Sequence, residues 1–368
     1  MLSYLHAFHA GNHADILKHA ALIQLLKKLN QKSAPYSFFD THAGSGLYST
    51  QGEKARKTGE AARGVLALAQ CASQDQNAGG EQETVASLRS GAVIPGALAD
   101  YLDFVRPYLA RDLYPGSPLI ERAFLRPGDA HTICELHPAE FEALKENCAR
   151  DFGLSSAFSP DQEGAAANFG LSTANGSRPK SAAASSGLSA VPHTQILKAD
   201  GFKTLLAQTP PKIKRGAALI DPSYEEAADY DAVAKTVNAV HKKWSAGIIM
   251  VWYPLLAHRA AEIEKMIESI CAAAKVQNAN TNILRADFCV DTAQSHTEMP
   301  LKENAAAKAA AALSSKTGLS SAAPRLYGSG ILVINAPWKL DQELDEALKY
   351  LSRVPGIATE PSYTVELL

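Results

Sequence analysis

The sequence predicts an α/β protein built on one mostly parallel sheet of seven strands wound with helices, with a helical subdomain inserted between the first two strands. Three observations carry that prediction. Short apolar runs of strand type alternate with helix-length amphipathic segments, the order that builds a parallel sheet with helices on its faces. Acidic residues stand where several of the apolar runs end, as they do where strand ends line a ligand crevice. The long stretch between the first two runs has a helical look and no clear strand.

Taken in order, a helix is expected over 13–29 and a first strand over 36–40. The second strand, 132–136, leads into a helix over 138–151, and the third, 194–199, into a helix over 202–208. A strand over 217–221 precedes a helix over 229–243, and a strand over 247–253 precedes a helix over 258–274. Strands over 282–290 and 331–335 and a helix over 341–351 complete the series. Residues 1–51 then form the start of the main domain, 52–125 the inserted helical subdomain, and 126–368 the remainder. The segments 155–192 and 292–323, with 74–91 of similar composition, are rich in Ala, Ser and Gly. They lack a period that could bury a face and are expected to be flexible surface insertions. No tandem repeat is present.

Lys plus Arg (36) and Asp plus Glu (38) nearly cancel, so any basic surface must be local. The stretch from Lys18 to Arg63, with Lys27, Lys28, Lys32, Lys54, Arg56 and Lys57, is the candidate, as a basic patch or as a solvated helix face. Five cysteines without CxxC or Cys/His clustering argue for a reducing compartment and no structural metal. The N-terminus lacks the pattern of a signal peptide, and the longest apolar run, about 248–256, is too short to span a bilayer. A cytoplasmic monomer, bound to no membrane and no metal, is expected.

The candidate chemistry lies at strand ends. Asp40 is followed by Thr41-His42-Ala43-Gly44-Ser45-Gly46, a turn whose glycines let backbone approach a nucleotide-type ligand or simply form a structural turn. Glu135 closes the second strand, where a carboxylate can accept two ribose hydroxyls or can stand at a helix start. Asp200-Gly201 closes the third, where the carboxylate can meet an adenine amine or cap a helix. Asp221-Pro222-Ser223-Tyr224 closes the fourth, as an acceptor pair for an amine or as a plain strand-ending turn of the Asp-Pro type. The exocyclic amine of adenine is a poor nucleophile because its lone pair is delocalised into the ring. A carboxylate (Asp221) and a backbone carbonyl (Pro222) that accept its two hydrogens favour a pyramidal nitrogen. Tyr224 offers a ring on which an extruded base can stack, and proline fixes the backbone at the accepting carbonyl. No Pro-Cys turn supplies the nucleophile that methylation at a pyrimidine carbon needs.

On these motifs the chain resembles the ribosomal RNA large subunit methyltransferase J family. The stretches that carry the resemblance are MLSYLHAFHAGNHADILKH at 1–19, FDTHAGSG at 39–46, YPGSPLI at 114–120, ELHP at 135–138, KADGF at 198–202, Asp221 to Tyr224, WYP at 252–254 and NAPWKL at 335–340. The resemblance implies a Rossmann-like class I methyltransferase fold and transfer of methyl from S-adenosyl-L-methionine to the N6 amine of one adenine in 23S rRNA. It implies cofactor contacts at His19, His42, Ser117, Glu135, Asp200, Gly201 and Asp221, with Lys18 nearby and Gly44 in the glycine turn. It also implies that Tyr4 lies where substrate RNA binds. Members usually carry proline where this chain has Ser223, so the loop regains a backbone donor. The Ala/Ser/Gly-rich segments have no counterpart in the family pattern.

Three other activities share parts of this pattern. A dinucleotide-dependent oxidoreductase would want G-x-G-x-x-G after the first strand, which 43–47 does not supply. A protein-glutamine methyltransferase also needs an acceptor of the Asn/Asp-Pro type, and labelled product on protein rather than RNA separates it. A non-catalytic RNA-binding module predicts RNA affinity without turnover.

Overall fold

The computed structural model describes residues 6–77, 93–150, 193–292 and 326–368. Tyr4, the segment 155–192, all but residue 292 of 292–323, and residues 78–91 of 74–91 therefore lie outside the described residues.

A short 3-10 turn (His6–Phe8) leads into α1 (His13–Asn30), then β1 (Ser37–Asp40), β2 (Leu47–Ser49), α2 (Glu53–Thr58), α3 (Val65–Asn77), α4 (Gly96–Leu109), β3 (Leu113–Pro115) and α5 (Ser117–Phe124). Next come β4 (Ala130–Cys134), α6 (Pro138–Ala149), β5 (His193–Leu197), α7 (Gly201–Gln208), β6 (Gly216–Ile220), α8 (Ala227–Lys243) and β7 (Ile248–Leu255). The chain closes with α9 (Ala260–Gln277), β8 (Ile283–Cys289), β9 (Gly328–Ile334), α10 (Leu340–Leu351) and β10 (Ser362–Leu367).

The main sheet has eight strands in the order β10-β8-β9-β7-β6-β1-β4-β5, one more than the seven expected. The five strands from β7 to β5 are mutually parallel, while β9 runs antiparallel to both β7 and β8. The added strand is β10, antiparallel to β8 at the edge. Its sequence, SYTVEL, alternates between half-buried and exposed positions and so carries no continuous apolar run. A separate antiparallel pair, β2 and β3, was likewise not expected; with three residues each they are too short to show a period.

Central strands are buried on both faces, which is why they are continuous apolar runs rather than alternating ones. Their side chains still divide by parity. Phe38, Ala217, Leu219, Met250, Ile331 and Val333 enter one core with α1, α3, α4, α5 and α10. Phe39, Ala218, Ile220, Ile249, Val251, Leu332 and Ile334 enter the other with α8 and α9. Helix α1 is covered nearly all round, with Ile16, Leu17, Leu22, Ile23, Leu25 and Leu26 at 2% exposure or less. Each such side chain contributes about 1.5–3 kcal/mol. The 52–125 segment shares this core through Val65, Leu68, Tyr101, Leu102 and Ile120. No helix among the described residues is long and apolar enough to cross a membrane.

Candidate functional site

After β1 the chain passes outward through β4 and β5, then returns to β6 on the other side of β1. In open α/β sheets ligands settle at such a reversal, outside the carboxyl ends of the strands. Here a cleft of about 2130 Å³ opens there, and Lys18, His19, His42, Gly44, Ser117, Glu135, Asp200, Gly201, Asp221 and Pro222 all line it.

The wall nearest β6 is an ion-pair cluster. Asn12 caps α1 by accepting the Asp15 amide (3.0 Å), which sets the first turn so that Asp15, Lys18 and His19 share one face. Lys18 Nζ donates to Asp221 Oδ2 at 2.8 Å and lies 3.0 Å from Asp15 Oδ1. Asp15 Oδ2 also accepts from the Gly11 amide (2.8 Å) and faces His6 Nε2 at 3.0 Å. Burial pushes the Asp15 carboxyl up, but His6 and Lys18 outweigh it and hold the group well below its ordinary value. Burial raises Asp221, and Lys18 opposes the rise. His19 Nδ1 hydrogen-bonds the Tyr114 hydroxyl at 2.8 Å, whereas its buried Nε2, 4.0 Å from Asp15 Oδ1, has no hydrogen-bond partner among the described residues. Burial lowers His19 to about 3, so it is neutral at physiological pH.

The wall beside β4 is built by the glycine turn. Gly44 (φ +60°) and Gly46 (φ +73°) take the left-handed conformation that glycine tolerates. Glu135 holds the turn, with Oε2 accepting the Gly44 amide (2.7 Å) and Oε1 the His137 amide (2.6 Å). Burial raises its carboxyl. At Gly201 a Cβ would come within 2.0 Å of the Thr41 carbonyl, so the two strand-end loops are closely apposed. Asp200 caps α7 by accepting the Lys203 amide (3.1 Å), so the capping role is realised while the residue still lines the cleft. His42, lowered to about 4 by burial, sits edge-on to Phe202.

Behind this wall lies a second, sealed cluster. The Ser117 hydroxyl donates to Asp40 Oδ2 (2.7 Å), and Asp40 Oδ1 accepts the His42 amide (3.1 Å). Glu121, one turn along α5 from Ser117, meets His131 Nε2 at 2.7 Å with both side chains fully buried. Burial pushes Glu121 up to about 8 and His131 down to about 3, and burial beside Glu121 pushes Asp40 well above its usual range.

The family described as "Ribosomal RNA large subunit methyltransferase D, RlmJ" matches residues 33–74, 70–157 and 184–308. Ribosomal RNA large subunit methyltransferase J of Escherichia coli (strain K12) is 30% identical over 354 residues, covering 95% of this chain and 93% of that protein. The Haemophilus influenzae (strain Rd) protein of the same name is 29% identical over 371 residues, covering 100% and 98%. The chain belongs to this family. A crystal structure of a Legionella pneumophila protein shares the fold, with a TM-score of 0.65 over 98% of each chain at 22% identity.

Among the family-type motifs, YPGSP has a structural account. Tyr114 contacts His19, the Gly116 amide donates to the Gly46 carbonyl (2.8 Å), and Ser117 reaches Asp40. One expected residue is placed otherwise. Tyr224 is 3% exposed, its ring packed on Tyr230 (4.7 Å between centroids) and its hydroxyl donating to the Trp252 carbonyl (2.8 Å). It presents no open face to the cleft; its φ is +52° and its ring joins the core on the α8–α9 side. Sequence reasoning did not select Asp15, His6, Tyr114 or Trp252. They carry no strand-end signal; only their positions within the 1–19, YPGSP and WYP motifs pointed to them.

Proposed function

We propose that this chain transfers a methyl group from S-adenosyl-L-methionine to the exocyclic N6 amine of an adenine in large-subunit ribosomal RNA, 23S rRNA in the bacterial relatives' class. The observation that carries this reading is Asp221 followed by Pro222 at the cleft wall, at the carboxyl end of β6, with the carboxylate tied to Lys18 at 2.8 Å.

The cleft suits the cofactor. Glu135 keeps acceptor capacity for ribose hydroxyls beyond its two backbone bonds, and Gly44 and Gly201 carry no side chain where loops crowd the cavity. His19 Nε2, without a hydrogen bond among the described residues, offers a further polar contact. His42, Ser117 and Asp200 complete the proposed cofactor-binding set. When bound, the cofactor supplies an electrophilic methyl group on a sulfonium.

The chain's residues do the rest. Lys18 occupies Asp221 Oδ2, which leaves Oδ1 to accept one amine hydrogen, and the Pro222 carbonyl accepts the other. Both bonds draw electron density out of ring conjugation and free the nitrogen lone pair. Burial raises the Asp221 carboxyl, and the Lys18 charge opposes that rise and favours the ionised acceptor. Asp221 is the formal proton acceptor. Tyr224 serves this arrangement by anchoring the turn to Trp252. Incubation with labelled S-adenosyl-L-methionine and unmodified 23S rRNA, followed by digestion to nucleosides, is expected to give N6-methyladenosine. Label on protein glutamine, or on any other nucleoside, would overturn the reading.

A further inference from the structure

Of the eight basic residues from Lys18 to Arg63, three on α1 are paired with acids of the fold, and Lys32 is exposed just past the end of α1. Lys18 pairs with Asp15 and Asp221, Lys27 with Asp100 (2.5 Å) and Lys28 with Glu343 (2.8 Å). Lys54, Arg56, Lys57 and Arg63 are different: all four are exposed, and they gather on α2 and the loop after it.

That segment is fixed to the cleft mouth. Thr58 Oγ1 donates to the Phe8 carbonyl (2.6 Å), and Lys54 Nζ lies 5.6 Å from the centre of the Phe8 ring. Gly59 ends α2 in the left-handed conformation (φ +63°) and turns the chain so that Glu60 meets His9 (2.9 Å) and Asn12 (2.9 Å). Gly64 then packs so closely on Gly11 that a Cβ would meet the Gly11 carbonyl at 2.1 Å. Thr58, Glu60 and Arg63 line the cleft. The acids within this rim do little to cancel it. Glu53 and Lys57 form an exposed i,i+4 pair at 3.3 Å, a geometry of small net strength, and Glu60 already faces His9. Where the cleft mouth is formed by the segment after β6, the sign reverses, with Glu225 and Glu226 exposed and Asp229 facing the cavity.

We propose that Lys54, Arg56, Lys57 and Arg63 form the rim that grips the phosphate backbone of the RNA flanking the target adenine, so that the strand crosses the mouth over α2 and keeps off the acidic 225–229 segment. The proposal rests on the RNA methyl-transfer reading. Phosphate contacts position a nucleic acid without reading its sequence, so the rim supplies affinity and register while Asp221 and Pro222 supply chemistry. Each phosphate contact to a single strand contributes about 0.7 to the slope of log affinity against log salt.

The test compares the full chain with K54E/R56E/K57E, with the neutral K54Q/R56Q/K57Q, and with Lys242→Glu, which changes an exposed charge at the far end of α8. Affinity for a labelled unmodified 23S rRNA fragment is measured by fluorescence anisotropy across a salt series, beside methylation kinetics and S-adenosyl-L-methionine titration. The reversal variant is expected to lose about tenfold or more in RNA affinity at low salt and to show a slope smaller by about 2. The glutamine variant should fall between. Cofactor affinity and turnover at saturating RNA should hold, and Lys242→Glu should match wild type. Unchanged RNA affinity and slope in the reversal variant would overturn the proposal, as would an equal loss in Lys242→Glu. Rim-dependent RNA binding without methyl transfer by the wild-type chain would leave the rim standing and sink the proposed function instead.

Discussion

The Asp15–Lys18–Asp221 cluster at the cleft and the Asp40–Glu121–His131 cluster behind its wall each place two carboxyl groups in low-polarity surroundings. The first contains a lysine between its acids and opens to the cleft through Asp221, whose side chain is 14% exposed. The second has a neutral imidazole instead of a cation and no exposure at Glu121 or His131. In the first cluster Lys18 works against the desolvation of both acids, whereas in the second, with no cation among its members, burial drives both carboxyls upward. An ionised acceptor belongs in the first setting. The second is suited to holding Ser117 and the His42 amide in place, since a network kept neutral can be buried at modest cost.

The comparison predicts four outcomes, of which Asp15→Ala is expected to be the most severe for the fold. It removes acceptors from Lys18, His6 and the Gly11 amide together. Breaking a buried pair by deleting one partner costs about 3–5 kcal/mol, read as a lower denaturant midpoint. An unchanged midpoint would mean that the cluster is solvated and that the contrast with the sealed cluster is wrong.

Asp221→Asn keeps the shape of the acceptor and removes its charge. Single-turnover methylation of an rRNA fragment should slow on the order of 10²–10³-fold, the scale for losing one preorganised electrostatic contact. Cofactor titration should change far less. A wild-type rate would remove Asp221 from the chemistry.

Glu121→Gln addresses the sealed cluster. The folded Glu121 carboxyl titrates near 8, against 4.5 for an ordinary glutamate. The folded state therefore binds this proton more tightly than the unfolded state, and the associated stability is fully present below about 4.5 and lost as pH rises through about 8. Thermal unfolding of the wild type should fall across that window, and the glutamine variant should flatten the decline. Parallel wild-type and variant curves would show that Glu121 is ionised in the fold and that the cluster is charge-balanced after all.

The strand ends were legible because a parallel sheet exposes its ligand-binding residues at sequence positions marked by an apolar run and then a polar residue. Glu135, Asp200 and Asp221 all satisfy that rule and all line the cleft. Residues whose positions depend on long-range contacts were not legible. Asp15 joins the site because its neighbour Lys18 on α1 reaches Asp221 after β6 across more than two hundred residues of sequence, and Glu121 on α5 meets His131 on β4 only through the tertiary fold. Strand β10 was missed because an exposed edge strand needs no apolar run. Tyr224 is the opposite case: its place in the motif suggests a ring free to stack, while in the fold that ring is 3% exposed.

Tyr224→Phe carries the smallest expected effect and separates two ways the cleft-side turn could be held. The ring packs on Tyr230 and near Trp252, and the hydroxyl donates to the Trp252 carbonyl. Phenylalanine keeps the packing and deletes one buried hydrogen bond, so stability should fall by about 0.5–1.5 kcal/mol. If the ring stays buried during turnover, RNA affinity and the methylation rate should be close to wild type once the variant is folded. If the ring must swing out to stack on an extruded adenine, the bond to Trp252 is one that has to break first. Its loss would then favour the open position, and RNA affinity should rise as stability falls. Unfolding measured beside RNA anisotropy decides between them: lower stability with unchanged affinity fits the anchoring role, and lower stability with tighter RNA binding would restore Tyr224 as a stacking platform.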